Sequence, residues 1–267
     1  MASTENSASD SRAADSRADK FARFADLTYD DFRRLARDDS LSRYEKIGFP
    51  DEYRRGFETR IFKDIRAKLN LLDGRDKKVA DIGPGCSELP LMMASLCARR
   101  GHRLTWVDSA EMLAQLPDFP FVARIPARFP LDCASFIEQH AGSFHAVLAY
   151  SVLHYVMPGS DIFDFVDAAA RLLAPSGALL IGDVPNISMR KRFFASESGR
   201  RFHRAFTGQQ TDPGVCFNAP EPGRIDDAVM MALVMRQRAA GLHAYIVPQN
   251  GRLPMANRRE DLLILRP

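Results

Sequence analysis

The spacing of apolar positions changes period along this chain, and each change marks an expected element. Between residues 51 and 72, Phe57, Ile61, Ile65, Leu69 and Leu72 recur three or four apart, which is one stripe of a helix. With the stretch before it, broken near Gly48-Phe49-Pro50, Phe21 to Asn70 reads as two or three helices. The short apolar step Val79-Ala80 then opens a different pattern. Short runs at Arg103–Asp108, Phe119–Ile125 (bracketed by Pro120 and Pro126), Phe144–Tyr150 and Ala178–Val184 read as strands. The Phe144–Tyr150 run is almost wholly apolar, as expected of a strand covered on both faces.

Helical patterns separate these strands. Ser87–Arg100 is closed by Gly101, a residue suited to the left-handed end of a helix. A second helix is expected over Asp132–His140, and a third over Asp161–Leu173. Ser160 is the expected N-cap of the third, and Pro175-Ser176-Gly177 ends it. Pro185–Arg224 carries little periodicity and reads as an irregular insertion. Ile225–Ala240 is again helical, with Asp226 and Asp227 in its first turn and Arg236 and Arg238 in its last, matching the helix dipole. His243–Pro248 and Asp261–Leu265 look like two final strands. Strand and helix in alternation predict a parallel α/β sheet.

The 267 residues, 46% of them hydrophobic, leave room for one α/β core and an appended helical region. No run of 18 apolar residues occurs, so no membrane span is expected. Met1–Lys20 alternates Ser, Ala, Asp and Arg; it lacks the apolar centre of a secretory signal and too few of its residues can bury surface. A disordered tail and a cytoplasmic location are expected. Cys86, Cys97, Cys133 and Cys216 show no C-x-x-C spacing, which argues against zinc and for reduced thiols. A net charge of +3 implies no nucleic-acid partner.

The candidate chemistry begins at Asp81-Ile82-Gly83-Pro84-Gly85. An acid at a strand end, glycines in the turn and a helix N-terminus beyond it together suit a nucleotide-type ligand. The dinucleotide pattern needs a third glycine at position 88, which is Glu88, so the turn points away from NAD. One strand–helix–strand unit later, Asp108 ends the second strand, where an acid accepts hydrogen bonds from ribose hydroxyls.

With these residues the chain resembles the class I (Rossmann-like) S-adenosylmethionine-dependent methyltransferases, over roughly residues 70 to 184. The resemblance implies a seven-stranded sheet, mostly parallel with an antiparallel last strand, and an N-terminal helical lid. It implies S-adenosylmethionine as cofactor, with Asp81, Gly83, Pro84 and Gly85 at its methionine end and Asp108 on its ribose. Ser109 and Met112 would flank the adenosine, and, since Arg128 has no acceptor to offer, adenine would be read by backbone groups or stacked on Phe129. Tyr150 and Ser151 lie where the family places residues beside the transferred methyl.

His154 is a candidate base, and Asp183 a second base or an orienting group; each also has a purely structural reading. Arg190 and Arg192 could hold an anionic substrate, with Tyr44 and Tyr53 walling the pocket; a solvated basic face and ordinary packing are the plainer readings. No metal is expected. The organisation expected is a tail (1–20), lid (21–70), cofactor core (71–184), insertion shaping the substrate site (185–224) and C-terminal helix with two strands (225–267). The preferred activity is O-methylation of a small polar or anionic acceptor, such as a sugar or a nucleotide-linked sugar. The rivals are RNA methylation and a non-catalytic cofactor-binding partner of another enzyme; the sequence offers no RNA-binding module.

Overall fold

A computed structural model describes residue 24, residues 26–157 and residues 160–267. The tail expected over residues 1–20 lies outside the described residues. Seven strands form one sheet: β1 (Lys78–Ile82), β2 (Arg103–Asp108), β3 (Val122–Pro126), β4 (Phe144–Tyr150), β5 (Leu173–Pro185), β6 (His243–Pro248) and β7 (Arg259–Leu265). Their order across the sheet is β3-β2-β1-β4-β5-β7-β6. The first five are parallel, and β7 runs antiparallel between β5 and β6.

Alternate side chains explain why the strands are apolar throughout. Ala80, Ile82, Val147, Ala149, Leu179 and Ile181 enter one core, and Val79, Ala146, Leu148 and Leu180 enter the other. Side chains of successive strand residues point to opposite faces, so a sheet covered on both sides has no polar row. The first core is closed by α7 (Ala134–Gln139), α9 (Ile162–Arg171) and α12 (Asp227–Ala239), which bring in Phe136, Phe165 and Leu233. The second is closed by α4 (Glu58–Lys68) and α5 (Glu88–Arg100), through Ile61, Ile65 and Met93.

Before the sheet lie α1 (Tyr29–Arg37), α2 (Arg43–Lys46), α3 (Asp51–Arg54) and α4, followed by a 3₁₀ turn at Asn70–Asp73. The single stripe expected over 51–72 is therefore broken. Gly56, with φ 82°, takes a conformation that no helix continues, so α3 and α4 are separate pieces. Beyond Gly56 the stripe holds: Ile61, Ile65, Leu69 and Leu72 are buried. These N-terminal helices, the segment expected as a lid, rest on α6 (Ala110–Leu113) through Arg33, whose Nε and Nη2 donate to Glu111 at 3.1 and 2.9 Å. Lys46 Nζ donates to Gln115 Oε1 at 3.0 Å.

Three expectations need correction. The insertion is not irregular: it contains α10 (Ile187–Ala195) and α11 (Glu197–Thr207). Asn186 caps α10 by accepting from the Ser188 and Met189 N–H groups, Ser196 caps α11, and Gly208 ends it in a left-handed conformation. These helices bury almost nothing except Gly199; α10 carries little apolar periodicity, whereas α11 is amphipathic, though short and rich in charge. The third strand starts at Val122 rather than Phe119, because Phe119 turns back to stack on Phe121 at 5.4 Å between ring centres. The helix after β4's connection is capped by Asp161, not Ser160: the Asp161 carboxylate accepts from the Phe163 N–H at 2.7 Å. Between β4 and this cap sits one short turn of helix, α8 (Leu153–Val156).

Candidate active site

At the carboxyl ends of β1, β2 and β4 the chain leaves the sheet in three turns, and a cleft of about 980 Å³, partly open to solvent, lies across them. Gly83 and Gly85 form its floor with φ of 70° and 67°. Both conformations favour glycine, and both turns are crowded. A Cβ on Gly83 would lie 2.6 Å from Val152 Cγ2, and one on Gly85 would lie 2.7 Å from Ile47 Cγ2. Pro84 lines the floor between them, and Ser87 caps α5 just beyond.

Two carboxylates sit at this end of the sheet. Asp108 accepts from the Gly85 N–H at 3.1 Å and the Ser109 N–H at 2.7 Å, which locks the second strand tip to the glycine turn. Burial still dominates and pushes its carboxyl up to about 6. Asp81, 3% exposed, receives no hydrogen bond from a described side chain or backbone group. Burial, and then repulsion from Asp108, push its carboxyl up to about 8. A cation placed between two such groups would favour ionisation of both.

The rest of the cleft is apolar. Met112 and Phe129 line it; Ser109 caps α6 by accepting from the Met112 N–H at 3.1 Å. Tyr150 lies close against Gly182, where a Cβ would come within 2.4 Å of Tyr150 Cδ2. The lid contributes Tyr29, Phe32, Ile47 and Phe49 as a roof, together with Arg54. The residue pattern does not mark these lid residues as part of a site. Their only sequence signal is proximity to the Gly48-Phe49-Pro50 break.

A second cavity adjoins the first. Phe49 and Tyr155 line both. It is bounded by α8, by α10 and α11, and by the corner leading into β7, and its volume of about 1680 Å³ is largely open. His154 and Tyr53 line it, as do Arg190, Arg224, Arg258 and Arg259. Both ring nitrogens of His154 are buried with no hydrogen-bond partner among the described residues. Burial, reinforced by Arg259, Arg54 and Arg224, holds the imidazole well below its ordinary 6.5, so it is neutral at pH 7.

Between the two cavities runs a buried polar chain. Arg54 Nη2 donates to Ser151 Oγ at 2.7 Å, and Ser151 Oγ donates to Asp183 Oδ2 at 2.5 Å. Arg259 Nη1 donates to the same Asp183 oxygen at 2.7 Å, and Gln249 Nε2 reaches Oδ1 at 3.3 Å. Ser151 and Asp183 hold left-handed conformations, φ 61° and 60°, which point the ends of β4 and β5 at one another. Asp183 is thus surrounded by donors, an arrangement suited to fixing Arg259 and Ser151 in place. The Phe49 ring lies beneath both terminal guanidinium groups, at 4.5 Å from Arg54 and 5.6 Å from Arg259.

The structure brings most of the expected residues together; Asp81, Ser109 and Asp183 line neither cavity but adjoin lining residues, and Tyr44 and Arg192 stand apart. Tyr44 lines neither cavity; its hydroxyl donates to Glu88 Oε2 at 2.6 Å and tethers the lid to α5. Arg192 is exposed, outside the second cavity, and pairs with Asp227 at 2.5 Å. Arg258 and Arg259, whose stretch Asn257-Arg258-Arg259-Glu260 before the last strand reads in the sequence as a polar hairpin turn, both face the second cavity. No group of His, Cys, Asp and Glu among the described residues is arranged to hold a metal. No helix among them is long and apolar enough to cross a membrane.

No protein-family model and no protein of curated function matches this sequence. Solved structures do match its fold. An O-methyltransferase family protein from Burkholderia thailandensis is 16% identical, with TM-score 0.53, over 95% of this chain and 68% of that one. The N-methyltransferase NodS from Bradyrhizobium japonicum WM9, in complex with S-adenosyl-L-homocysteine, is 15% identical with TM-score 0.52, over 90% and 98% of the two chains. The plantazolicin methyltransferase BpumL, also solved with S-adenosyl-L-homocysteine, is 12% identical with TM-score 0.52, over 88% and 95%. The chain therefore has the class I, Rossmann-like fold of S-adenosylmethionine-dependent methyltransferases, with the strand order and antiparallel β7 described above.

Proposed function

We propose that this protein is an S-adenosylmethionine-dependent methyltransferase that methylates a hydroxyl of a small acceptor held in the second cavity. The observation that carries this reading is the meeting of two unlike cavities at Phe49 and Tyr155, one floored by the glycine turn and lined by Asp108, the other holding the unpartnered His154 ring. The fold neighbours include N- and O-methyltransferases, two of them crystallised with the demethylated cofactor.

The residues of the first cleft fit the cofactor. Asp108 would take the ribose hydroxyls while keeping its backbone bonds, and Asp81 would meet the ammonium group. Arg54, at the cleft wall and 5% exposed, would face the carboxylate. Met112 and Phe129 offer an apolar slot for adenine. When bound, S-adenosylmethionine supplies a methyl group on a cationic sulfur that departs as a neutral thioether. The chain's own work is to orient the acceptor, exclude water and accept a proton. Tyr155 and Phe49 form the wall that an acceptor must pass to approach the first cleft. His154, neutral and free of competing hydrogen bonds, takes the hydroxyl proton. Asp183 positions Arg259 and, through Ser151, Arg54.

Calorimetric titration with S-adenosyl-L-homocysteine, followed by incubation with methyl-labelled cofactor and a small-molecule extract, tests this. Saturable binding and label in a low-molecular-weight product are expected. Absence of binding, or uptake of a nicotinamide instead, overturns the reading.

A further inference from the structure

The second cavity has an excess of positive charge that its own walls do not neutralise. Of its four arginines, Arg224 pairs with Asp26 at 2.8 Å and Arg259 pairs with Asp183 at 2.7 Å. Its remaining acid, Glu221, pairs with Lys191 at 3.0 Å. Arg190 and Arg258 have no carboxylate partner among the described residues. Both are instead laid on aromatic rings: Arg190 lies 5.8 Å from the Phe194 ring centre, and Arg258 lies 5.4 Å from Phe202 and 5.9 Å from Phe193. A guanidinium whose flat face rests on a ring presents its edge donors sideways, and those edges match the paired oxygens of a carboxylate or phosphate; Arg258 spends part of that edge on Asn257 Oδ1, at 3.1 Å, and on the Tyr53 hydroxyl. Arg258 is half-buried, and both burial and its neighbours Arg259 and Arg190 work against its charge. These groups come from separate parts of the chain, Arg190 from α10 and Arg258 from the corner before β7, and converge on one side of the cavity, away from β1 and β2.

Resting on the reading of this cavity as the acceptor site, we infer that the acceptor is an organic acid whose carboxylate or phosphate group is held by Arg190 and Arg258. Its body lies along Tyr53, Phe194 and Phe202, and its reacting hydroxyl is directed toward His154 and Tyr155. Aromatic walls suit a ring or the apolar face of a sugar, and the arginine pair orients it by its acidic end. Arg190 and Arg258 are then specificity residues: they select the acceptor and set its direction, without touching the transferred group.

The test uses the full chain saturated with S-adenosyl-L-homocysteine and three probes of one size: benzoate, phenyl phosphate and neutral benzamide. At least one anion should bind tenfold or more tighter than benzamide, about the difference a charged pair of donors makes. Whichever anion binds better identifies the acidic group. In Arg190→Gln/Arg258→Gln that advantage should vanish, and the exposed single variant Arg190→Gln should lose part of it. Equal binding of all three probes, or an advantage that survives in the double variant, overturns the inference. Titration of the same preparations with S-adenosyl-L-homocysteine alone separates the two proposals. Cofactor binding without anion preference sinks only the acidic acceptor, whereas loss of cofactor binding in the unaltered protein sinks the methyltransferase reading itself.

Discussion

The two cavities differ in charge and in origin. The first is floored by residues at the tips of β1, β2 and β4 and roofed by Tyr29, Phe32, Ile47 and Phe49, and it sets the Asp108 carboxylate against the guanidinium groups of Arg54 and Arg128, with the buried Asp81 one residue before its lining residue Ile82. The second is assembled from the lid, α8, α10, α11 and the corner before β7, and its charges are mainly guanidinium groups. A site of the first kind, with charges of both signs, suits a zwitterion, and its floor is set by the strand tips. A site of the second kind suits an anion and depends on how distant segments pack. The buried chain Arg54–Ser151–Asp183–Arg259 joins them, so each is oriented partly by the other.

The sharpest break of this division is at His154. His154→Ala should lower turnover by about 10²–10⁴-fold while leaving S-adenosyl-L-homocysteine affinity within error. A single-turnover assay beside a cofactor titration reads both numbers, and unchanged turnover returns His154 to a structural role. Next comes Asp108→Ala, expected to weaken cofactor binding by about 100-fold or more through loss of hydrogen bonds to a charged group. Binding of the acidic probe should change far less; equal losses at both sites would show that the two cavities are one site.

The carboxylates also impose a pH dependence. Asp81 is raised to about 8 and Asp108 to about 6, so between these values the free protein holds a proton that a bound ammonium group displaces. Cofactor affinity should therefore rise from pH 6 to pH 8, by up to about tenfold per unit. The stability sign is the reverse for the unliganded chain. A carboxyl raised in the folded state binds its proton more tightly there than when unfolded, so this contribution is full below the ordinary carboxylate range and is lost as pH rises through about 8. Thermal midpoints of the free protein measured across this window should fall with pH, and Asp81→Asn should flatten both slopes. A slope that persists in that variant assigns the titration elsewhere.

Smaller effects follow from the turn and the surface. Gly83→Ala forces a side chain into a left-handed turn already 2.6 Å from Val152, and denaturant unfolding should register a loss of about 1–3 kcal/mol. Pairing it with Val152→Ala should recover the steric part and not the backbone part. Arg192→Ala removes only an exposed pair with Asp227; it should cost less than about 1 kcal/mol and leave probe binding unaltered. A large loss of probe binding would place Arg192 in the acceptor site after all.

The legibility of the two cavities in the residue pattern divides along the same line. Asp81, Gly83, Gly85 and Asp108 stand at fixed offsets inside one strand–helix–strand unit, and local rules for turns and strand ends suffice to place them together. Helices α10 and α11 lie against the cavity rather than the core and bury little apolar surface; the cap Asn186 is the main signal of α10, while α11 also has an amphipathic pattern behind its cap Ser196. Arg258 and Arg259 read as a polar turn because nothing near them in the chain marks what they face.

Periodicity, caps and the glycine turn thus determined the order of strands and helices and the nature of the first cleft, since those depend on contacts within a few dozen residues. Tertiary structure alone decided that Arg54 of the lid reaches Ser151, that Asp183 is surrounded by donors, and that Arg190 and Arg258 line one cavity with His154. Those pairings join segments far apart in the chain, and their geometry is set by how the lid, the insertion and the β7 corner pack over the sheet, which no local pattern of residues encodes.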